Sequence, residues 1–98
     1  MKEILPQSVW LQGIEYKAQY IQCTGTYDNY KSQATVYFQL FTMLIDVNGD
    51  KSPAQQVSDG FEYIQGQAYI DWGNIPANSI NEWIYNWTAQ QINVTIIP

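Results

Sequence analysis

The sequence predicts an α+β domain, a small antiparallel sheet of four to five strands with one amphipathic helix on one face and a C-terminal strand. Three observations carry that expectation. Gln33–Val47 is rich in β-branched and aromatic residues, lacks Pro and Gly, and runs into Asn48-Gly49, as a strand entering a turn does. Ile14–Thr24 and Phe61–Trp72 alternate their apolar positions, the period of strands covered on one face. Only the stretch 79–91 repeats at the period of a helix.

Taken in order, residues 1–13 read as an extended N-terminal arm. Pro6 lacks the amide a regular ladder needs, so only Val9–Leu11 is expected to pair, as an edge strand. Residues 14–72 hold the strands. Ile14, Tyr16, Ala18 and Tyr20 face one way; Glu15, Lys17 and Gln19 face the other. Thr24–Ser32 reads as a polar loop. In the central strand, Val36, Phe38, Leu40, Thr42 and Leu44 oppose Tyr37, Gln39, Phe41, Met43, Ile45 and Val47. Both faces are mostly apolar, so both call for cover. Asn48-Gly49 favours a tight turn, but Lys51–Gly60 is polar and contains Pro53, which predicts a long exposed loop. In the third strand, Phe61–Trp72, Gly66 suggests a bulge or a close backbone approach. Ser79 and Glu82 have the spacing of a capping box, and Ile80, Trp83, Ile84 and Trp87 form an apolar stripe. Residues 92–97 alternate again and read as the closing strand.

Ninety-eight residues make one domain, 1–98, and a chain of this length supports one thin core. The net charge of −5 rests on four Lys with no Arg or His, too few cations to neutralise a nucleic-acid backbone. The acidic residues are spread from Glu3 to Glu82 rather than gathered into a stripe, which argues against a DNA mimic. Cys23 has no second cysteine to pair with and reads as a small buried hydrophobe. Lys2 is followed by Glu3 and Pro6 with no apolar core segment, so no signal peptide is expected, and no apolar run reaches membrane-spanning length.

Few patterns carry chemistry. Asp46–Ser52 places oxygens at alternate positions, but a calcium loop needs Gly sixth and Glu twelfth, where Lys51 and Val57 stand. Turn residues account for it. With no His, no nucleophile motif, no phosphate-cradling loop and no metal-ligand cluster, no catalytic residue, metal or cofactor is expected. Asn86-Trp87-Thr88 and Asn93-Val94-Thr95 match the glycosylation pattern by chance, one in the helix and one in a strand. The surplus of Tyr and Trp is the one functional signal. Such residues anchor protein interfaces, and beside Asp and Asn they also serve sugar-binding surfaces.

Ala68–Gly73, Ile80–Thr88 and Gln91–Ile96, within a chain rich in Asn, Gln and Tyr and devoid of Arg, resemble small virion proteins of tailed bacteriophages. The resemblance implies a structural accessory role at the head, neck or tail, with other virion proteins as partners and assembly in the host cytoplasm. It supplies no catalytic residue. The expectation is therefore a non-enzymatic, homo-oligomeric virion subunit that binds neither nucleic acid nor membrane. Trp10, Phe41, Met43 and Ile45 are expected at its interface, covering the second face of the central strand. The alternative is a glycan-binding module that contacts a host surface through Tyr27, Asp28, Asn29, Tyr30 and Trp72. A small acidic inhibitor of a host enzyme stands behind both.

Overall fold

A computed structural model describes residues 1–29 and 31–98. Four strands, β1 (Lys2–Leu11), β2 (Ile14–Asp28), β3 (Gln33–Ile45) and β4 (Lys51–Gln65), form an antiparallel sheet in the order β1-β2-β3-β4. Two helices follow, α1 (Gln67–Gly73) and α2 (Ile80–Gln91). The α+β class holds; the single helix and the C-terminal strand do not.

The strands are longer than the sequence suggested because side chains hold the turns tightly. Asn29 Oδ1 accepts the amides of Lys31, Ser32 and Gln33, so β2 continues to Asp28 where a loop was expected. Asp46 Oδ1 accepts the amides of Asn48 and Asp50, and Gly49 adopts φ 84°. That closes a short hairpin, and the expected loop at 51–60 is instead the first part of β4. Polar composition misled here because an edge strand with one solvated face tolerates it. Pro53 and Ala54 sit where the β3–β4 register shifts, so the missing proline amide interrupts no regular ladder.

The same accommodation explains the N-terminus. Pro6 lies in the register shift between Glu3 and Gln7, and Lys2, Glu3 and Gln7–Leu11 pair with β2. The arm is an ordinary strand, and it does not cross a face of the sheet.

The third strand stops early. Gly66 takes φ 62° and ψ −135°, a conformation that side-chain-bearing residues avoid, and turns the chain into α1. Its role is this junction rather than a bulge. Ala68, Tyr69 and Trp72 then fall on one side of a helix, packed against the core, while Tyr69 and Trp72 meet at 5.5 Å. Alternation and helical spacing coincide over so short a run, and the glycine decides between them.

In α2 the expected stripe is rotated. Tyr85, Thr88 and Ala89 are buried, whereas Trp83, Ile84 and Trp87 are only half-buried. Small side chains at 88 and 89 let the helix approach the sheet closely, and the two indoles stack along its flank at 6.0 Å. The capping box does not form. Ser79 makes no side-chain cap, and Glu82 instead receives Lys2 Nζ at 2.6 Å.

The helix ends in a Schellman motif. Val94 N–H donates to Ala89 and Asn93 N–H to Gln90, with Asn93 at φ 59°. Asn93 is thus a helix terminator, not a strand residue. The reversal lays the tail along the outer edge of β1. Leu5 N–H donates to Thr95 O and Ile97 N–H to Glu3 O, making one isolated bridge, Ile4–Ile96, in place of a fifth strand.

The core lies between sheet and helices, with Ile4, Ile21, Cys23, Ala34, Val36, Leu40 and Ile64 beneath Tyr85 and Ala89. At the far end the sheet curls. Lys2 points toward α2, so its neighbour Glu3 points to the opposite face, where it meets Lys51 at 3.7 Å. The start of β4 therefore bends back toward β1, helped by the register shifts at Leu40–Phe41 and Phe41–Met43. Ala18, which shares that face with Tyr20 by alternation, is fully buried there.

Of the glycines, Gly60 alone has a side chain packed directly over its backbone among the described residues. It lies opposite Phe38, and a Cβ there would sit 2.9 Å from the ring. Gly60→Ala is expected to lower the unfolding free energy by about 1–2 kcal/mol in a urea titration. An unchanged midpoint would show that the Phe38 ring yields at no cost.

Candidate functional site

The face of the sheet away from the helices is the functional candidate. Register fixes its composition. Tyr27, Thr35 and Tyr63 lie in one cross-strand row; Thr24, Tyr37 and Phe61 form the next; Gln22, Gln39 and Asp59 the third. Tyr27, Phe61 and Tyr63 are 65%, 54% and 51% exposed, high values for rings in the middle of a sheet. Among the described residues nothing lies over them.

The platform is internally ordered. The Tyr37 ring packs on Phe61 at 5.1 Å, and its hydroxyl donates to Asp59 Oδ2 at 2.7 Å. That carboxylate raises the Tyr37 pKa by favouring the protonated phenol. Gln39 Nε2 donates to Gln56 Oε1 at 2.6 Å beside it. Aromatic rings framed by amides and one carboxylate are groups suited to recognition.

A cleft of about 370 Å³ opens at the adjoining end, where the β2 register shifts between Gly25 and Tyr27. Tyr27, Asp28, Thr35, Ile64, Trp72 and Ile84 are among its walls. Asp28 accepts the Tyr69 hydroxyl at 2.7 Å, and Trp72 Nε1 is buried with no hydrogen-bond partner among the described residues. Among the described residues no three His, Cys, Asp or Glu side chains gather closely enough to hold a metal. Among the described residues no helix is long and apolar enough to cross a membrane.

The structure unites some of the expected residues and separates others. Phe41, Met43 and Ile45 share the helix-free face, but Phe41 and Met43 are half-buried where the sheet curls. Trp10 pairs with Glu15 and, by alternation along β2, belongs to the other face; it is 66% exposed near the hairpin tip. Those four residues do not make one surface. Tyr27, Asp28 and Trp72 do meet, at the cleft, whereas the Asn29 side chain is committed to its turn. Tyr30 lies outside the described residues. No family model, curated protein or solved structure matches the chain. Function must therefore be argued from the surface itself.

The platform residues Tyr37, Asp59, Phe61 and Tyr63 escaped the sequence reading. Their alternation is visible in the sequence, but only the register shows that Tyr37 lies opposite Phe61, and the 51–60 segment has the polar composition of a loop.

Cys23 belongs to the core rather than to either surface. Burial pushes its thiol up to about 11, with the neighbouring Thr88 hydroxyl opposing weakly. Thr88 Oγ1 itself makes no hydrogen bond of ordinary geometry among the described residues. The Tyr85 phenol, also partly desolvated, is shifted up as well. An unfolded thiol loses its proton near pH 9.0 while the folded one keeps it, so this contribution is whole below pH 9 and falls away toward 11. The stability difference between the native chain and Cys23→Ala is expected to shrink by on the order of 2 kcal/mol across that window, measured by urea unfolding. A difference that stays flat with pH would mean that the thiol is not desolvated.

Proposed function

We propose that this protein is a non-catalytic structural subunit that works by assembling with other protein chains through its uncovered sheet face. The observation that carries the reading is the platform of exposed Tyr27, Phe61 and Tyr63 around the half-buried Tyr37. Monomeric proteins seldom leave such a patch in water, and aromatic rings held rigid by their neighbours lose little entropy on burial. Dispersed charge leaves the platform free of strong repulsion, with Asp59 already engaged by Tyr37. The likeness of residues 68–96 to phage virion proteins makes an accessory position in a particle the setting, with other virion proteins as further partners. Light scattering of the full chain is expected to give a mass above 11.3 kDa that rises with concentration. Tyr37→Asp is expected to lower it. A constant monomer mass over the whole range would overturn the reading.

The cleft favours a second reading, glycan binding. Trp72, Asp28 and the Tyr27 segment border one cleft of saccharide size, with Asp28 as an acceptor. A glycan array probed with the full chain is expected to give hits that Trp72→Ala abolishes. An array without hits removes this reading.

A further inference from the structure

We infer that two copies of this chain join edge to edge through the C-terminal half of β4, in antiparallel register centred on Phe61. The inference rests on the assembly reading and names its first contact. The two sheet edges are not equivalent. The chain's own tail bonds to β1 at Glu3 and Leu5, so that only the five residues Gln7–Leu11 of that edge stay open among the described residues, against eight on β4. On β4, among the described residues, no backbone group from Ser58 to Gln65 bonds to any segment outside β3 and β4 themselves. Proteins normally protect such an edge with Pro, Lys or bulges. The first half of β4 has all three, in Lys51, Pro53 and the register shifts that end at Leu40–Phe41. From Ser58 to Gln65 there is none.

Charge then selects the register. Pairing centred on Asp59 sets Asp59 against Asp59, and pairing centred on Glu62 sets Glu62 against Glu62. A one-residue offset, with Gly60 opposite Phe61, brings Asp59 against Glu62. Like charges directly opposite are destabilising. Centred on Phe61, the strand faces Asp59 with Tyr63, Gly60 with Glu62, and Ser58 with Ile64, and no carboxylate meets another. Phe61 of one copy packs on Phe61 of the other, next to the Tyr37 ring already 5.1 Å away. Centres on Gly60 and Tyr63 also separate the charges, but the first sets Phe61 against Asp59 and forgoes the aromatic pair, and the second pairs only Phe61–Gln65 of the open edge. The two-fold axis through Phe61 keeps the helices of both copies on one side and makes their aromatic platforms continuous.

Disulfide mapping in the full chain carrying Cys23→Ala tests this. Phe61→Cys, at an exposed position, is expected to give a covalent dimer on mild oxidation, seen on a non-reducing gel. Asp59→Cys alone and Tyr63→Cys alone are expected to give little, because equivalent positions two residues from the centre lie about 14 Å apart along the strands. Mixed together, those two variants are expected to cross-link. Circular dichroism of each variant checks that the fold is intact. If light scattering shows assembly but Phe61→Cys fails to cross-link, or Asp59→Cys cross-links with itself, the β4 register is overturned and the assembly reading survives. If the chain is monomeric throughout, both fall.

Discussion

A sheet has two faces, and the helices of this chain suffice for one. α1 and α2 are seven and twelve residues long, and the longer of them presents a narrow buried stripe. Close approach through Thr88 and Ala89 lets that stripe cover Ile21, Cys23 and Val36, with the two tryptophans sealing the flank. On the opposite face the chain has only its own curvature to offer. Bending β4 toward β1 buries Ala18 at one end and leaves the rings at the other end in water. The aromatic platform is the residue of that shortage.

Short polar side chains set the limits of the strands. Asn29 and Asp46 each satisfy several amides of their own turn, so the chain reverses within a few residues and the strands extend on either side. Few of the ion pairs matter in comparison. Lys2 reaches both Glu82 and the Tyr85 ring, but Glu82 is well exposed, and such contacts orient α2 more than they stabilise it.

Much of the fold was legible in the sequence. The α+β class, the strands around Ile14–Cys23 and Gln33–Ile45, and the helix near 79–91 follow from periodicity. What stayed hidden depends on tertiary geometry. The backbone state of Gly66 ends β4, and the bulges that accommodate Pro6 and Pro53 turn an arm and a loop into strands. The orientation of α2 was set by where small residues sit, which counting apolar positions overlooks. Of the candidate sites, Tyr27, Asp28 and Trp72 converge although far apart in sequence, whereas Trp10 parts from Phe41 because a strand's two faces cannot be assigned without its partner.

The tail that follows Asn93 has a consequence beyond the helix it terminates. By bonding at Glu3 and Leu5, it closes the first part of the outer edge of β1 and leaves that edge shorter than the one along β4. A sheet open on both sides is a repeating unit and can grow without limit into a fibre. A sheet open on one side can only be used up, since joining like edges leaves nothing exposed to recruit a third. A few residues past one helix thus shorten the edge on which such growth would depend.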